Sequence, residues 1–154
     1  MTDRNEFTIC QLQVDQVPLF RDMLKLFGEV FDELGTYTAE QPDDDYIKEL
    51  LGLDYFMALV ALSDDKVVGA LTAYEFKKFE QPRSEVYIYD LGVAASHRRR
   101  GIATGLILEV KELAKQRGAY VVIVQADQGD LPPTELYSKL GKREDVLHFD
   151  IDVD

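Results

Sequence analysis

At 154 residues the chain suits one compact domain with a single sizeable core, and its 46% hydrophobic and 30% charged residues are an ordinary globular balance. The one cysteine, Cys10, excludes an internal disulfide and any multi-cysteine zinc site. Lys plus Arg is 17 and Asp plus Glu is 29, so the net charge of −12 repels nucleic acid and anionic lipid and attracts polycations.

Met1–Phe7 reads MTDRNEF, too charged for a signal peptide, and no stretch approaches a membrane span. The expectation is a soluble, cytoplasmic protein with no nucleic-acid or membrane partner. Phe7–Leu12 reads as a first strand. Asp15–Leu34 then spaces Phe20, Met23, Leu24, Phe27, Val30, Phe31 and Leu34 as a helix, with Pro18 allowed in the first turn. Gly35–Pro42 breaks the pattern. Asp43, Asp44 and Asp45 precede a second helix over Tyr46–Leu51, where acids complement the helix dipole.

Phe56–Leu62 and Val67–Tyr74 form a hairpin around Ser63-Asp64-Asp65-Lys66. After a polar loop over Lys77–Arg83, Ser84–Val93 (SEVYIYDLGV) is a long strand, and His97–Gly101 is a basic turn. Ile102–Arg117 is the strongest helix, with Ala103, Leu106, Ile107, Val110, Leu113 and Ala114 on one face and Gly118 as its stop. Ala119–Ala126 reads as a strand apolar enough to be buried on both faces. Pro132 and Pro133 open a short helix through Leu140, and Val146–Val153 (VLHFDIDV) alternates as a last strand. The order is β-α-α-β-β-β-α-β-α-β, and one strand–helix–strand unit requires parallel pairing. The class is therefore α+β with a mixed sheet flanked by helices.

Between the long strand and the strong helix, Asp90 to Thr104 reads DLGVAASHRRRGIAT. Arg98-Arg99-Arg100-Gly101-Ile102-Ala103 fits R-x-x-G-x-A, which sets free N–H groups at a positive helix end where a glycine allows close approach. Three arginines add charge-assisted donors, so a pyrophosphate is the natural ligand. A solvated basic turn before an ordinary helix is the plainer alternative. The turn lacks the G-x-x-x-x-G-K-[ST] and G-x-G-x-x-G patterns of other phosphate loops.

This turn, in its strand–helix setting, resembles the acetyl-coenzyme A motif of GNAT acyltransferases. Leu136-Tyr137-Ser138-Lys139-Leu140-Gly141 is similar to their LYxKxGF motif, with Lys142 where the aromatic usually stands. Phe79–Glu85, Ile88–Leu91, His97–Arg99, Gly118–Val121, Val124–Asp127 and His148–Asp152 further resemble the gentamicin 3-N-acetyltransferase family. The likeness runs from about the first helix to the last strand.

The resemblance implies a single GNAT domain over 1–154, acetyl-CoA as co-substrate, no metal, an aminoglycoside substrate and a homodimer. It implies that Leu91, Gly92, Val93, Arg98, Arg99, Arg100, Gly101, Ile102, Ala103 and Thr104 hold the coenzyme. Transfer is direct: a neutral amine attacks the thioester, a tetrahedral intermediate forms and the thiol leaves. Asp90, an acid inside an apolar strand, is the first choice of base, with Glu80 and Glu85 as alternates and a structural carboxylate as the bland reading. An aspartate near pKa ~4 faces an uphill transfer of roughly 5–6 kcal/mol from a sugar ammonium, so it needs a raised pKa, an aided substrate or a relaying water. Tyr137 is the candidate proton donor to the thiolate, and Gly92 a candidate bulge that splays the strands.

A polyamine acceptor calls for an acid-lined cleft. Glu80, Asp127, Asp150 and Asp152 are its candidates, with Asp43–Asp45 on the loop before the second helix, His148 on the strand face of Asp150 and Asp152, and Tyr37 offering a ring edge. Each acid taken singly fits a solvated surface as well. Transfer to another polyamine or to a protein or peptide amine is the rival activity. An acyl-CoA-binding sensor, and more distantly an acidic DNA mimic, are the rivals without catalysis.

Overall fold

The computed structural model describes residues 6–154. The elements run β1 (Thr8–Gln11), α1 (Val17–Val30), α2 (Leu34–Thr38), α3 (Asp44–Leu51), β2 (Phe56–Ser63), β3 (Lys66–Lys77) and β4 (Ser84–Val93). A 3-10 turn (Ala95–His97), α4 (Ile102–Gln116), β5 (Ala119–Val124) and α5 (Leu131–Leu140) complete the chain. Among the described residues five strands form one sheet in the order β1-β2-β3-β4-β5. The first four are antiparallel neighbours, and β4 and β5 run parallel because α4 carries the chain back across the sheet. The mixed sheet with flanking helices is the expected α+β class.

Alternation along the strands divides the core between the two faces. Met57, Leu59 and Ala61 of β2 join Leu71, Val86 and Ile88 beneath Ile102, Leu106 and Val110 of α4. Ala58 and Val60 face the other way, under Phe20, Met23 and Phe27 of α1 and Ile47 of α3. The β2–β3 hairpin closes on Asp64 (φ 49°) and Asp65 (φ 60°), the left-handed pair a two-residue turn requires. The Asp43 side chain accepts from the Tyr46 N–H at 2.9 Å, capping α3. No helix among the described residues is long and apolar enough to cross a membrane.

Four expectations need correction. The first helix is shorter than Asp15–Leu34, and Gly35–Pro42 is not simply a break, because α2 lies within it. Tyr37 of α2 packs against the Phe27 and Phe31 rings, with centroids 5.9 and 6.0 Å away, so tertiary packing folds a segment of poor helix propensity. β5 is not buried on both faces: it is an edge strand whose Tyr120, Val121 and Ile123 stay half-exposed. Residues 146–153 form no strand, because their alternating apolar residues meet no sheet among the described residues. The order is thus β-α-α-α-β-β-β-α-β-α.

Candidate active site

Parallel pairing of β4 with β5 stops at Ile88–Val124, although β4 continues to Val93. Beyond that point β5 has ended, and the edge of Tyr89–Val93 on its side has no strand partner among the described residues. The register with β3 slips between Thr72 and Ala73, opposite Tyr89 and Asp90. This bulge adds one residue to β4, so Tyr89 and Asp90 both turn toward the α1 side. Gly92 is not the bulge. A Cβ there would meet Val30 Cγ1 at 3.2 Å and Phe27 Cδ1 at 3.4 Å, so its missing side chain lets α1 lie close on β4.

Asp90 is half-buried beneath α2, and the Tyr37 hydroxyl donates to its Oδ2 at 3.0 Å. Burial pushes its carboxyl above the ordinary aspartate range, the Tyr37 bond opposes that rise, and the charge of Glu33 reinforces it. The Tyr37 hydroxyl is itself pushed up, first by burial and then by the Asp90 charge. This arrangement leaves the carboxylate a better base than an exposed aspartate. Beside it, Tyr74, Tyr89 and Tyr87 meet edge to face at 6.1 and 6.0 Å, and Tyr87 Oη donates to Gln125 Oε1 at 3.0 Å.

At the far end of β4 the chain makes its basic turn. Arg99 (φ 62°) and Gly101 (φ 79°) both adopt left-handed backbone, and no side chain caps α4. Gly105 returns its N–H to the Gly101 carbonyl at 2.9 Å, so the amides of Ile102, Ala103 and Thr104 precede the helical ladder. A Cβ on Gly101 would meet nothing within 4 Å, so the space before the helix is open. Ile102, buried in the α4-side core, anchors the turn, while Arg98 and Arg99 are exposed around it. An open, uncapped helix N-terminus that directly follows three exposed arginines fits a pyrophosphate. The free edge of Tyr89–Val93 fits an extended amide-bearing arm added beside β4.

Tyr137 lies on the opposite face of the sheet from Asp90. With Leu136 it packs against the α4-side core, and burial followed by the charge of Asp130 raises its hydroxyl further. Its hydroxyl makes no hydrogen bond among the described residues. Asp90 and Tyr137 therefore lie on opposite faces of the sheet.

The remaining acids do not converge within this chain. Glu80 sits before β4, bridging Lys78 at 3.5 Å and Arg83 at 3.6 Å. Six residues of extended strand, about 20 Å, separate Ser84 from Asp90, so Glu80 does not join that cluster. Glu85 is held low by the Tyr120 hydroxyl and Lys78, an ion-paired surface acid rather than a base. Asp44 pairs with Arg21 at 2.6 Å, and Asp127 is exposed on the loop after β5. Asp150 and Asp152 lie on the exposed C-terminal segment, where the His148 ring meets Asp150 Oδ1 at 2.9 Å. Glu33, whose charge reaches both Asp90 and Tyr37, carried no signal in the sequence.

Residues 20–141 match the acetyltransferase (GNAT) family. An aminoglycoside acetyltransferase, HMB0005, from an uncultured soil metagenomic sample has a similar structure. Its TM-score is 0.95 at 54% identity, over 97% of this chain and 99% of that one. A second, meta-AAC0020, also from an uncultured soil metagenomic sample and solved in complex with sisomicin, gives a TM-score of 0.89 at 30% identity, over 97% and 98% of the two chains. N-acetyltransferase 8B of Rattus norvegicus is 28% identical over 90 residues, 58% of this chain, and the chain spans only 40% of that relative's length. With four fifths of its length matched, the chain belongs to the GNAT acetyltransferase family.

Proposed function

We propose that this chain is one catalytic domain that transfers the acetyl group of acetyl-CoA to the 3-amino group of the 2-deoxystreptamine ring of aminoglycosides, inactivating them. The half-buried Asp90 beneath Tyr37, on β4 just past the end of its pairing with β5, carries this reading. Similarity to aminoglycoside acetyltransferases supports the substrate class, one of them bound to sisomicin. The 3-amino position rests on the sequence resemblance.

In this reading the pyrophosphate of acetyl-CoA lies against Arg98, Arg99, Arg100 and the amides of Gly101–Thr104, and the pantetheine arm lies along Leu91–Val93. Asp90, its carboxyl raised by burial, takes the proton from the substrate ammonium. The freed amine attacks the thioester carbon, and the C–S bond breaks as Tyr137 gives its hydroxyl proton to the sulfur. The second proton, lost by the nitrogen as the amide forms, restores the Tyr137 hydroxyl. Tyr37 holds Asp90 in place, and Glu33 adds negative charge for neighbouring ammonium groups.

The test is coenzyme A release with gentamicin, spermidine and lysine-bearing peptides as acceptors, followed by NMR location of the new acetyl group. Transfer to the 3-amino nitrogen of gentamicin is expected. Turnover of the peptides alone, or acetylation at another nitrogen of the antibiotic, refutes the corresponding part of the proposal.

A further inference from the structure

The helices on the α1 side do not cover their face of the sheet to its end. α1 lies against β4 at Gly92, and α2 covers Asp90 through Tyr37. Further along β4, toward Ser84, the side chains on this face are aromatic. Phe56 of β2 meets Tyr74 of β3 with ring centroids 5.1 Å apart. Tyr89 stands nearly perpendicular to both Tyr74 and Tyr87, at 6.1 and 6.0 Å. Phe76 stacks on Tyr87 at 6.2 Å and ends the row. Tyr87, Tyr89 and Phe76 belong to neither half of the core, and Tyr89 is 64% exposed.

Three features separate this strip from aromatic residues scattered singly over a surface. It is held in place: two perpendicular ring contacts fix Tyr89, and the bond from the Tyr87 hydroxyl to Gln125 fixes its neighbour. It begins at Asp90, because the bulge that adds a residue to β4 turns the Tyr89 ring and the Asp90 carboxyl to one face as consecutive residues. Its rings also stay neutral, since burial first, and then neighbouring phenols and Asp90, push the Tyr74 and Tyr87 hydroxyls up. The face of such a ring is the negative part of its quadrupole and attracts a cation within about 6 Å of the centroid. A chain of net charge −12 concentrates cations at this strip and disfavours anions.

We infer that Tyr89, its ring held by Tyr74 and Tyr87, is the subsite for a second ammonium of the acceptor, the one that is not acetylated. This rests on the acceptor proposed above and adds to it a division of labour between two amines. Asp90 removes a proton from one of them. Tyr89 holds the other only while it stays charged, because a neutral amine has little attraction to a ring face. The acceptor is thus at least a diamine, with its amines close enough for neighbouring residues of one strand to hold both. Tyr89 sets specificity and takes no part in the chemical step.

Steady-state rates with gentamicin and acetyl-CoA, for wild type, Tyr89→Phe and Tyr89→Leu, test the subsite. Tyr89→Leu should raise KM for gentamicin about three- to tenfold, with kcat and KM for acetyl-CoA within about twofold of wild type. Tyr89→Phe keeps the ring and loses only the hydroxyl, so it should match wild type. A merely structural role moves kcat and both KM values together. A role for the hydroxyl alone leaves Tyr89→Phe as poor as Tyr89→Leu. Either result overturns the cation subsite. So does a Tyr89→Leu protein with the wild-type KM, an outcome that leaves the acceptor reading standing.

A wild-type protein that acetylates no aminoglycoside sinks the acceptor reading instead. Titration calorimetry with spermidine then decides the subsite without turnover. Wild type and Tyr89→Phe should bind spermidine about three- to tenfold more tightly than Tyr89→Leu. Equal affinities, or no binding by wild type, overturn the subsite.

Discussion

Removing the Tyr37 hydroxyl tests whether Asp90 works as the base. In Tyr37→Phe the ring still packs on Phe27 and Phe31, and only the 3.0 Å bond to Asp90 is lost. That bond stabilises the ionised carboxylate against burial, so its loss must raise the Asp90 carboxyl further. A hydrogen bond to a charged group is worth about 1.5–3 kcal/mol, and the partial exposure of Asp90 argues for the low end. The acid limb of kcat/KM should therefore move toward higher pH, with activity on that limb falling roughly tenfold. On the alkaline plateau, where Asp90 is ionised in both proteins, the rates should agree within about twofold. Thiol release measured over about pH 5 to 9, with gentamicin as the varied substrate, gives both profiles. Superimposable profiles, or a limb displaced toward acid, would refute the assignment of Asp90 as the titrating base.

Other perturbations separate function from packing. Asp90→Asn should lower kcat/KM by about a hundredfold or more. Because the folded Asp90 pKa lies above its unfolded value, this carboxyl costs stability as pH rises through that window. The thermal midpoint of Asp90→Asn should therefore match or exceed wild type near neutral pH, and a clear drop would mark Asp90 as structural. Gly101→Ala should cost about 1 kcal/mol at the positive φ and raise KM for acetyl-CoA severalfold, read by thermal melts and initial rates. Tyr137→Phe should lower kcat by about ten- to a hundredfold with KM unchanged, whereas a change confined to the melting temperature would make it a packing residue. Gly92→Ala should destabilise by about 1–3 kcal/mol as the new methyl meets Val30 and Phe27, measured by urea unfolding.

Local pattern carried most of the fold. The helical spacing in α4 and the alternation in β2 and β4 are set by neighbours a few residues apart, and the hairpin follows from two turn aspartates. What escaped depends on distant contacts. α2 has little intrinsic preference to be helical and folds because Tyr37 finds the aromatic rings of α1. The apolar run of β5 suited a central strand, but composition does not say how many neighbours a strand has, and β5 has one.

The site divides along the same line. A lone acid in an apolar strand made Asp90 conspicuous, and a glycine after three arginines made the basic turn so, because each is an anomaly within its own segment. The partners that tune Asp90 are not anomalies: Glu33 and Tyr37 are ordinary residues until α2 carries them over β4, 53 residues further along the chain. Glu80 misled because nearness to β4 in sequence is nearness to the wrong end of it. Residues 146–153 show a third case. Their alternation was visible, but a strand needs an edge to pair with, and these residues meet none among the described residues.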